Sequence, residues 1–288
     1  MKIVGFLFYF SVLSFAGFAQ SSVLWEIKGN DLTQSSYLLG TLKFTGEKEF
    51  FIPKQVSSKM SECKVFAIED PIDHHAQHEL NKALHFPKGQ SLSTQLSSDE
   101  YKKVQLFFEK EFGINKSSFE SKYSIIKPLA LSILMTRLSL GEKAKFCDIE
   151  LLLAAKKKKL TTYSLESVER EAQAINAYPM YNQIKALLHS IDNFETQKAE
   201  FRKMIEQYPQ ESLEEIFQFT LHPVENNPIF VEEFYYKRNV EWLPKIEKMI
   251  KENRSFITVG VSHLEGEKGL LKLLTDKGYI LSPIPVTK

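Results

Sequence analysis

The sequence is poor in cysteine, because Cys63 and Cys147 are the only two in 288 residues. Two isolated cysteines provide neither the ligand spacing of a zinc site nor a Cys-x-x-Cys redox motif, so cysteine-based sites of both classes are excluded. In an oxidising compartment the two thiols could form one disulfide. Two buried free thiols are the alternative, and the sequence favours neither.

An excess of charge of one sign is also missing. Lys and Arg total 37 and Asp and Glu total 36, which gives a formal net charge of +1. A balanced chain has no strong electrostatic attraction for nucleic acid or for an anionic membrane, so neither is expected as a partner. A glycine-rich phosphate loop, a repeat of solenoid period and a low-complexity linker are absent from the sequence as well.

A long apolar run occupies the N-terminus. Residues 1–19 begin with one basic residue, Lys2, continue with apolar residues and close on Gly17-Phe18-Ala19. This pattern is typical of a secretory signal peptide, and the run is too short for a transmembrane helix. We therefore predict an exported protein, periplasmic or secreted, whose mature chain begins at Gln20 and has no transmembrane anchor. An uncleaved N-terminal anchor is the alternative.

The segments with strand character lie towards the two ends of the mature chain. Val23 to Lys28 and Ser36 to Leu42 predict an opening hairpin, and Lys64 to Ile68 predicts a buried strand. Near the C-terminus, Ser255 to Pro283 reads as strand, turn, helix and strand, which predicts a crossover between parallel strands.

Between these ends, from about residue 91 to residue 254, the pattern is mostly helical, with a short strand at Leu160 to Leu165. The sequence therefore predicts a mixed α/β fold, in which a central sheet is built from the N- and C-terminal segments. The helical segment is expected to be a large insertion that caps the sheet, within a single domain over residues 20–288.

Ionisable side chains follow several of these strands directly. His263 comes after the strand that ends at Gly260, Glu69 follows the strand at 64–68, and Glu166 follows the strand at 160–165. Lys43 stands after Gly40-Thr41-Leu42 at the end of the hairpin. Ligands bind at the carboxyl ends of strands in open α/β sheets, so these side chains are candidates for one site. The alternatives are a histidine satisfied within its loop and acids that cap the next helix.

A histidine pair, His74 and His78, would share one face of the helix that follows Glu69. The pair lacks the His-Glu-x-x-His order that supplies both ligands and base in zinc peptidases. A solvated helix face is therefore the favoured interpretation. Glu69, Asp70 or Asp73 could cap this helix.

The order and spacing of several short motifs resemble the TraB/GumN family, which includes pheromone-shutdown proteins and the Tiki proteins. The resemblance extends over nearly all of the mature chain. The motifs are Leu24-Trp25-Glu26-Ile27, Ser36-Tyr37-Leu38-Leu39-Gly40-Thr41-Leu42, Phe51-Ile52-Pro53, the strand before Glu69, Asp148 before Leu151, Leu165-Glu166, Arg238-Asn239 with Trp242, and Val259-Gly260-Val261-Ser262-His263-Leu264 followed by Gly266-Glu267-Lys268-Gly269-Leu270.

This resemblance implies a fold related to erythromycin-esterase-like proteins and, for some members, a divalent-metal-dependent peptidase. The family pattern has two Gly-x-x-His motifs and a glutamate after a strand, which places His263 and Glu69 as metal ligands and Arg238 as a catalytic arginine. Gly40, Thr41, Gly260 and Glu166 are then expected to contact the substrate. The first motif departs from the pattern, because Lys43 stands where the family has histidine.

A lysine at position 43 changes the chemistry. A protonated amine has three donors and no lone pair for a metal, and it repels a nearby cation. One hypothesis is a divergent metal-dependent hydrolase in which Glu69 and His263 hold a divalent ion or position water. His74, His75 and His78 could then be replacement ligands, or a neutral Lys43 could act as a base. The other hypothesis is a non-catalytic descendant that binds a peptide or protein, with Lys43 paired to Glu69.

Overall fold

The computed structural model describes residues 22–141, 143–208, 213–220 and 227–287. These residues form a central six-stranded sheet with the strand order β6-β4-β7-β2-β1-β8 and a separate two-stranded sheet of β3 and β5. The strands are β1 (Leu24–Lys28), β2 (Ser36–Thr41), β3 (Phe44–Thr45), β4 (Val65–Ile68), β5 (Lys145–Phe146), β6 (Thr161–Ser164), β7 (Ser255–Gly260) and β8 (Ile280–Ile284).

The strands β6, β4, β7 and β2 are parallel, whereas β1 is antiparallel to both of its neighbours. The predicted opening hairpin is confirmed, with Leu24 opposite Leu39. The two strands of the C-terminal unit, β7 and β8, are parallel as predicted, but they are not neighbours. The whole hairpin lies between them, so the connection through the last helix crosses two strands.

The mixed α/β fold predicted from the sequence is confirmed. The segment 160–165 joins the central sheet as β6, beside β4, although it lies within the mostly helical part of the chain. The relation to erythromycin-esterase-like proteins and the division into a domain and an insertion stay predictions.

Helices make up most of the chain between β4 and β7. They include two π-helical turns, Phe119–Tyr123 and Val231–Tyr236. A 3₁₀ turn, Val261–His263, follows β7 directly. The α-helices are α1 (Lys54–Ser61), α2 (His74–Leu84), α3 (Leu92–Gln95), α4 (Ser98–Phe112), α5 (Lys116–Ser118), α6 (Pro128–Ser139), α7 (Cys147–Lys157), α8 (Val168–Ala177), α9 (Met180–Asp192), α10 (Phe194–Gln207), α11 (Leu213–Thr220), α12 (Pro228–Phe230), α13 (Lys237–Glu252) and α14 (Leu270–Asp276).

Local sequence signals set the helix ends. Helix α4 starts with a capping box, in which Ser97 and Glu100 each accept a hydrogen bond from the other's backbone N–H, and it ends at Gly113, whose φ of 67° is left-handed. Of the three acids that could cap α2, Asp73 does so, since its side chain accepts a hydrogen bond from the Ala76 N–H. These caps satisfy backbone groups that have no partner within the helix.

Two parts of the core are distinct. Under the sheet, Phe66 of β4 and Phe256 of β7 stack with ring centroids 6.3 Å apart, and Trp242 of α13 belongs to the same fully buried cluster. A second cluster, which includes Phe108 and Leu187, is formed by helices and the loops between them, without any strand residue. The helical layer therefore has apolar packing of its own and does not depend only on the sheet for burial.

Cys63 and Cys147 are buried free thiols, which decides between the two alternatives left by the sequence. Burial raises the pKa of each thiol to about 12.

The predicted signal peptide at 1–19 lies outside the described residues. Among the described helices, none combines the length and the apolar character needed to cross a bilayer.

Candidate active site

A cavity of about 240 Å³ opens at the carboxyl ends of the parallel strands. Lys43, Glu69 and His263 line it, so three of the four strand-end side chains that the sequence singled out share one cavity. Its other polar lining residues are Thr41, Thr136, Asp148, Glu171, Arg238 and Ser262, and its apolar, aromatic and glycine lining consists of Leu42, Phe44, Leu129, Ile133, Phe201, Met204, Phe230, Phe234, Tyr235, Gly260 and Val261. We call this space the site cavity.

Arg238 lies at the base of the site cavity with 1% of its surface exposed. Its Nε and Nη2 donate to Glu166 Oε1, at 2.9 and 2.6 Å, and its Nη2 also lies 3.1 Å from Glu69 Oε2. The guanidinium is stacked 4.8 Å from the Trp242 ring centroid. The charges of Glu69 and Glu166 outweigh the cost of burial and raise the pKa of Arg238, so this residue is a fixed positive charge.

Contacts on both ring nitrogens define the tautomer of His263. Arg238 Nη1 lies 3.3 Å from His263 Nε2, and a guanidinium can only donate, so Nε2 carries the lone pair. His263 Nδ1 therefore carries the hydrogen and donates to Asn239 Oδ1 at 2.7 Å. The amide of Asn239 is itself oriented, because its Nδ2 donates to the backbone oxygens of His263 and Lys268, at 3.1 and 2.8 Å. Burial, with the charges of Arg238 and Lys43, lowers the pKa of His263 to about 3 against the opposing effect of Glu69.

Glu69 is held in the ionised form. Its Oε1 accepts a hydrogen bond from the Gly260 N–H, and its Oε2 faces Arg238. Burial alone would raise its pKa, but His263, Arg238, Gly260 and Lys43 together lower the pKa of Glu69 to about 2. With 17% of its side chain exposed, Glu69 is more accessible from the cavity than Arg238 or His263, at 2% and 3%.

Close backbone approach positions these groups. A Cβ on Gly40 would lie 2.7 Å from Leu264 Cδ1 and 2.9 Å from Val261 Cα, so this glycine allows the 3₁₀ turn that carries His263 to pack on β2. Gly260 has more room, since a Cβ there would lie 3.3 Å from Glu69 Oε1. Of the two predicted glycines, Gly260 lines the site cavity and Gly40 does not. The Tyr208 hydroxyl donates to the carbonyl oxygen of Gly40.

Lys43 and several acids form the opposite side of the site cavity. The nearest carboxylate to Lys43 Nζ is Glu171 Oε1, at 4.0 Å, and not Glu69. The predicted Lys43–Glu69 ion pair is therefore not formed, because Glu69 is already paired with Arg238. Desolvation opposes the protonated form of Lys43, but Glu171, Glu69, Asp70 and Asp148 outweigh it and raise its pKa. Lys43 is accordingly a cation, not a neutral base.

Asp148 stands in the first turn of α7, where the two-stranded sheet β3–β5 places it beside Lys43. The Cys147 N–H donates to the Lys43 carbonyl oxygen at 3.3 Å, and the Thr41 hydroxyl donates to Asp148 Oδ1 at 2.7 Å. Burial and the charge of Glu69 raise the pKa of Asp148 to about 6. Burial and the charges of Glu171 and Glu69 also raise the pKa of Asp70. Negative charge is therefore in excess on this side.

The remaining predicted residues lie elsewhere. Glu166 is not part of the cavity lining: its side chain is 2% exposed, and both oxygens are engaged, one by Arg238 and the other by Trp242 Nε1 at 3.0 Å. His74, His75 and His78 are exposed on α2, as the solvated-face interpretation expected, and do not line the cavity.

Sequence reasoning missed Glu171 and gave no role to Asn239. Glu171 is in the first turn of α8, the helix that follows β6. The sequence argument considered only the side chains next to each strand end, so it did not extend to this helix. Asn239 follows Arg238 and was visible only as part of a family motif. No sequence signal indicated that its side chain would hold His263.

The residues as placed do not fit a divalent metal bound by Glu69 and His263. The lone pair on His263 Nε2 is directed to Arg238, and Glu69 uses one oxygen for Arg238 and the other for the Gly260 N–H. A metal ligand would have to lie about 2.0–2.2 Å from the ion, which requires displacing the guanidinium. Throughout the described part of the chain, no three His, Cys, Asp or Glu side chains are grouped to hold a metal ion.

The fold and the site together define an α/β protein with a buried arginine–glutamate–histidine cluster at its strand ends. The model of the TraB/PrgY/gumN family matches residues 23–283, nearly the whole chain. The chain belongs to this family, as its motifs predicted. Comparisons with curated proteins and with solved structures give no significant match.

Proposed function

We propose that this protein binds a peptide or protein segment in the site cavity without a divalent metal, as a non-catalytic member of its family. The observation that carries the proposal is the position of Arg238, which contacts both Glu69 Oε2 and His263 Nε2. A guanidinium keeps its positive charge at all physiological pH values. It thus provides the charge compensation that a metal ion would otherwise provide.

The acidic side of the site cavity indicates the chemistry of the ligand. Lys43 is the cation that faces Glu171. Burial, together with repulsion by Glu69 and Glu171, raises the pKa values of Asp148 and Asp70 on this side. A ligand amine, from a peptide N-terminus or a basic side chain, would relieve this repulsion. The aromatic rings of Phe230, Phe234 and Tyr235, which also line the cavity, would pack against the adjoining apolar part of the ligand.

Metal-independent peptide hydrolysis is a second candidate function. It is favoured by the pKa values of two cavity carboxyl groups, about 2 for Glu69 and about 6 for Asp148, because groups with separated pKa values are typical acid and base partners. In this reaction, water would attack the peptide carbonyl carbon and lose a proton to Glu69, and the C–N bond would break. Since Asp148 Oδ1 accepts from Thr41, a proton on Asp148 belongs on Oδ2, from which it would pass to the leaving amine.

Export is part of the proposal and is supported by the signal-peptide pattern of residues 1–19. Outside the cytoplasm, peptides with free amino groups are available as ligands. N-terminal sequencing of the protein recovered from an exported fraction tests this part, and we expect the first residue to be Gln20.

The test of the central proposal is calorimetric titration with Zn²⁺ and Mn²⁺, followed by titration with a phenylalanine-containing peptide and its N-acetylated form. We expect no stoichiometric metal binding, and we expect weaker binding of the acetylated peptide because it has no ammonium group. Tight metal binding that is lost in His263→Asn but kept in the surface control His74→Asn would contradict the proposal. Mass spectrometry of the peptide after incubation separates the two candidates, since cleavage that Asp148→Asn abolishes would select hydrolysis.

A further inference from the structure

A second cavity, of about 210 Å³, adjoins the site cavity. Ile133 and Thr136 of α6 and Phe201 of α10 line both cavities, so the two spaces are neighbours across this pair of helices. Helices α9 and α11 complete the wall through Ser190 and Phe219. A ligand that extends beyond the site cavity between α6 and α10 would enter this second cavity.

The second cavity contains an unused hydrogen-bond donor. Gln197 Nε2 is buried and has no hydrogen-bond partner among the residues that the structure describes. Buried polar groups in proteins are nearly always paired, so an orphan amide that lines a cavity indicates that a ligand atom completes it. The atom that would pair with it is an oxygen acceptor.

The other polar groups of the second cavity favour the same ligand atom. The hydroxyls of Ser132, Thr136 and Ser139 donate to carbonyl oxygens of their own helix, so they do not compete as donors. Lys198 also lines the cavity. Its Nζ lies 3.6 Å from Glu195 Oε1, but that glutamate side chain is 72% exposed and only weakly neutralises the lysine.

The two neighbouring cavities therefore have opposite polarity. In the lining of the site cavity, three carboxyl side chains, Glu69, Asp148 and Glu171, outnumber two cations, Lys43 and Arg238. None of the described residues that line the second cavity is acidic, and one of them, Lys198, is a cation. Aromatic side chains, Phe194, Phe201 and Phe219, form its apolar wall.

We propose that the second cavity is a subsite for a carboxylate of the ligand, which Gln197 and Lys198 bind beside an apolar ligand side chain. This inference rests on the proposed function, since the same ligand places its amine in the site cavity. The ligand class is then a peptide with both termini free. The opposite polarity of the two cavities fixes its direction, with the amino end at Asp148 and Glu171 and the carboxyl end at Gln197.

The test is calorimetric titration of the full chain with a length series of phenylalanine-containing peptides in free, N-acetylated and C-amidated forms. For the best-bound length, we expect C-amidation to weaken binding by about tenfold or more. Gln197→Glu, which is the same size but repels a carboxylate, is expected to weaken the free peptide by a similar factor and to leave the amidated peptide almost unchanged. Lys185→Gln, a surface change away from both cavities, serves as the matched control.

The outcomes separate the two proposals. If N-acetylation weakens binding while C-amidation and Gln197→Glu do not, the carboxylate subsite is overturned and the amine site stands. If no peptide binds, the proposed function fails and the subsite fails with it. A Lys198→Gln variant keeps the test decisive should Gln197→Glu fold poorly, because loss of the cation must also weaken the free peptide more than the amidated one.

Discussion

Arg238 Nη1 lies 3.3 Å from His263 Nε2, and through Nη2 the same guanidinium lies 3.1 Å from Glu69 Oε2. One side chain therefore acts on two neighbours in different ways. Burial is the largest reason that the pKa of His263 is low, and the charge of Arg238 lowers it further, so the imidazole stays neutral. Burial raises the pKa of Glu69, but the same guanidinium is among the groups that outweigh burial and keep the carboxylate ionised. The result is a neutral histidine beside an ionised glutamate, in place of the usual ion pair between a protonated histidine and a carboxylate.

The imidazole of His263 is expected to remain neutral well below the usual range. Its pKa of about 3 predicts that NMR signals of this ring stay constant from about pH 8 to about pH 5, where an ordinary histidine titrates with a pKa near 6.5. The ¹⁵N shifts should show hydrogen on Nδ1 and none on Nε2. A His263→Asn variant identifies the signals, and a midpoint near neutrality would contradict the described contact with Arg238.

Removing the guanidinium is expected to destabilise the protein strongly. Arg238→Met leaves Glu69 and Glu166 without their cation, and breaking a buried ion pair by removing one partner costs about 3–5 kcal/mol. The matched control is Lys272→Met, whose pair with Asp276 is about half exposed and is worth about 0–1 kcal/mol. Urea unfolding measures both variants, and equal small losses would mean that Arg238 is not the charge that holds the cluster.

Asp148→Asn is expected to stabilise the protein at neutral pH. The pKa of Asp148 is raised from 3.8 to about 6, so the native state favours its protonated form. The stability from this group is therefore present below about pH 4 and is lost as pH rises through about 6. Asparagine resembles the neutral acid and still offers an oxygen to Thr41.

The size of this effect is on the order of 2 kcal/mol at pH 7, and no difference is expected near pH 3. Thermal or urea unfolding at a series of pH values measures the difference from the unmodified protein. Asp276→Asn, on an exposed helix face, is the control and should show no such gain with rising pH. A constant difference at all pH values would show that Asp148 does not titrate in this way.

Gly40→Ala and Gly260→Ala are expected to differ in their effects. At Gly40 the added Cβ would meet Val261 Cα at 2.9 Å, and backbone cannot easily move, so a loss of about 1–3 kcal/mol is expected. At Gly260 the nearest atom is the end of the Glu69 side chain, at 3.3 Å, which can shift by a few tenths of an ångström. Gly260→Ala should therefore lower the free energy of unfolding by no more than about 1 kcal/mol. Its main effect is expected on ligand affinity, because Glu69 lines the site cavity. The reverse order of stabilities would argue against the packing of the 3₁₀ turn on β2.

Much of the site was predictable because it follows a rule of parallel sheets. Glu69 and His263 come directly after β4 and β7, so the position of the strands along the chain was enough to place them together. The fold class was predictable for the same reason, since strand and helix patterns are local. The partner of Lys43 was not predictable, because Glu171 reaches it from a helix whose packing angle no local pattern specifies.

The two contacts on His263 were equally hidden in the sequence. Arg238 and Asn239 are adjacent residues on α13, and they precede the histidine that they contact by 25 and 24 positions. Only the family motif drew attention to them. Gln197 gave no signal at all, because an unpaired amide is defined by the packing around it and not by its neighbours in the chain.

The π-helical turn at Val231–Tyr236 joins the aromatic wall of the site cavity to Arg238 on α13. A π turn holds one more residue than an α turn, which corresponds to about 100° of rotation along the helix. Deletion of one residue in this turn would leave a regular α-helix. Every aromatic ring before the deletion would then be rotated relative to the guanidinium of Arg238. The cavity is thus sensitive to the length of this segment as well as to its side chains, and single-residue deletions here should abolish binding even where substitutions are tolerated.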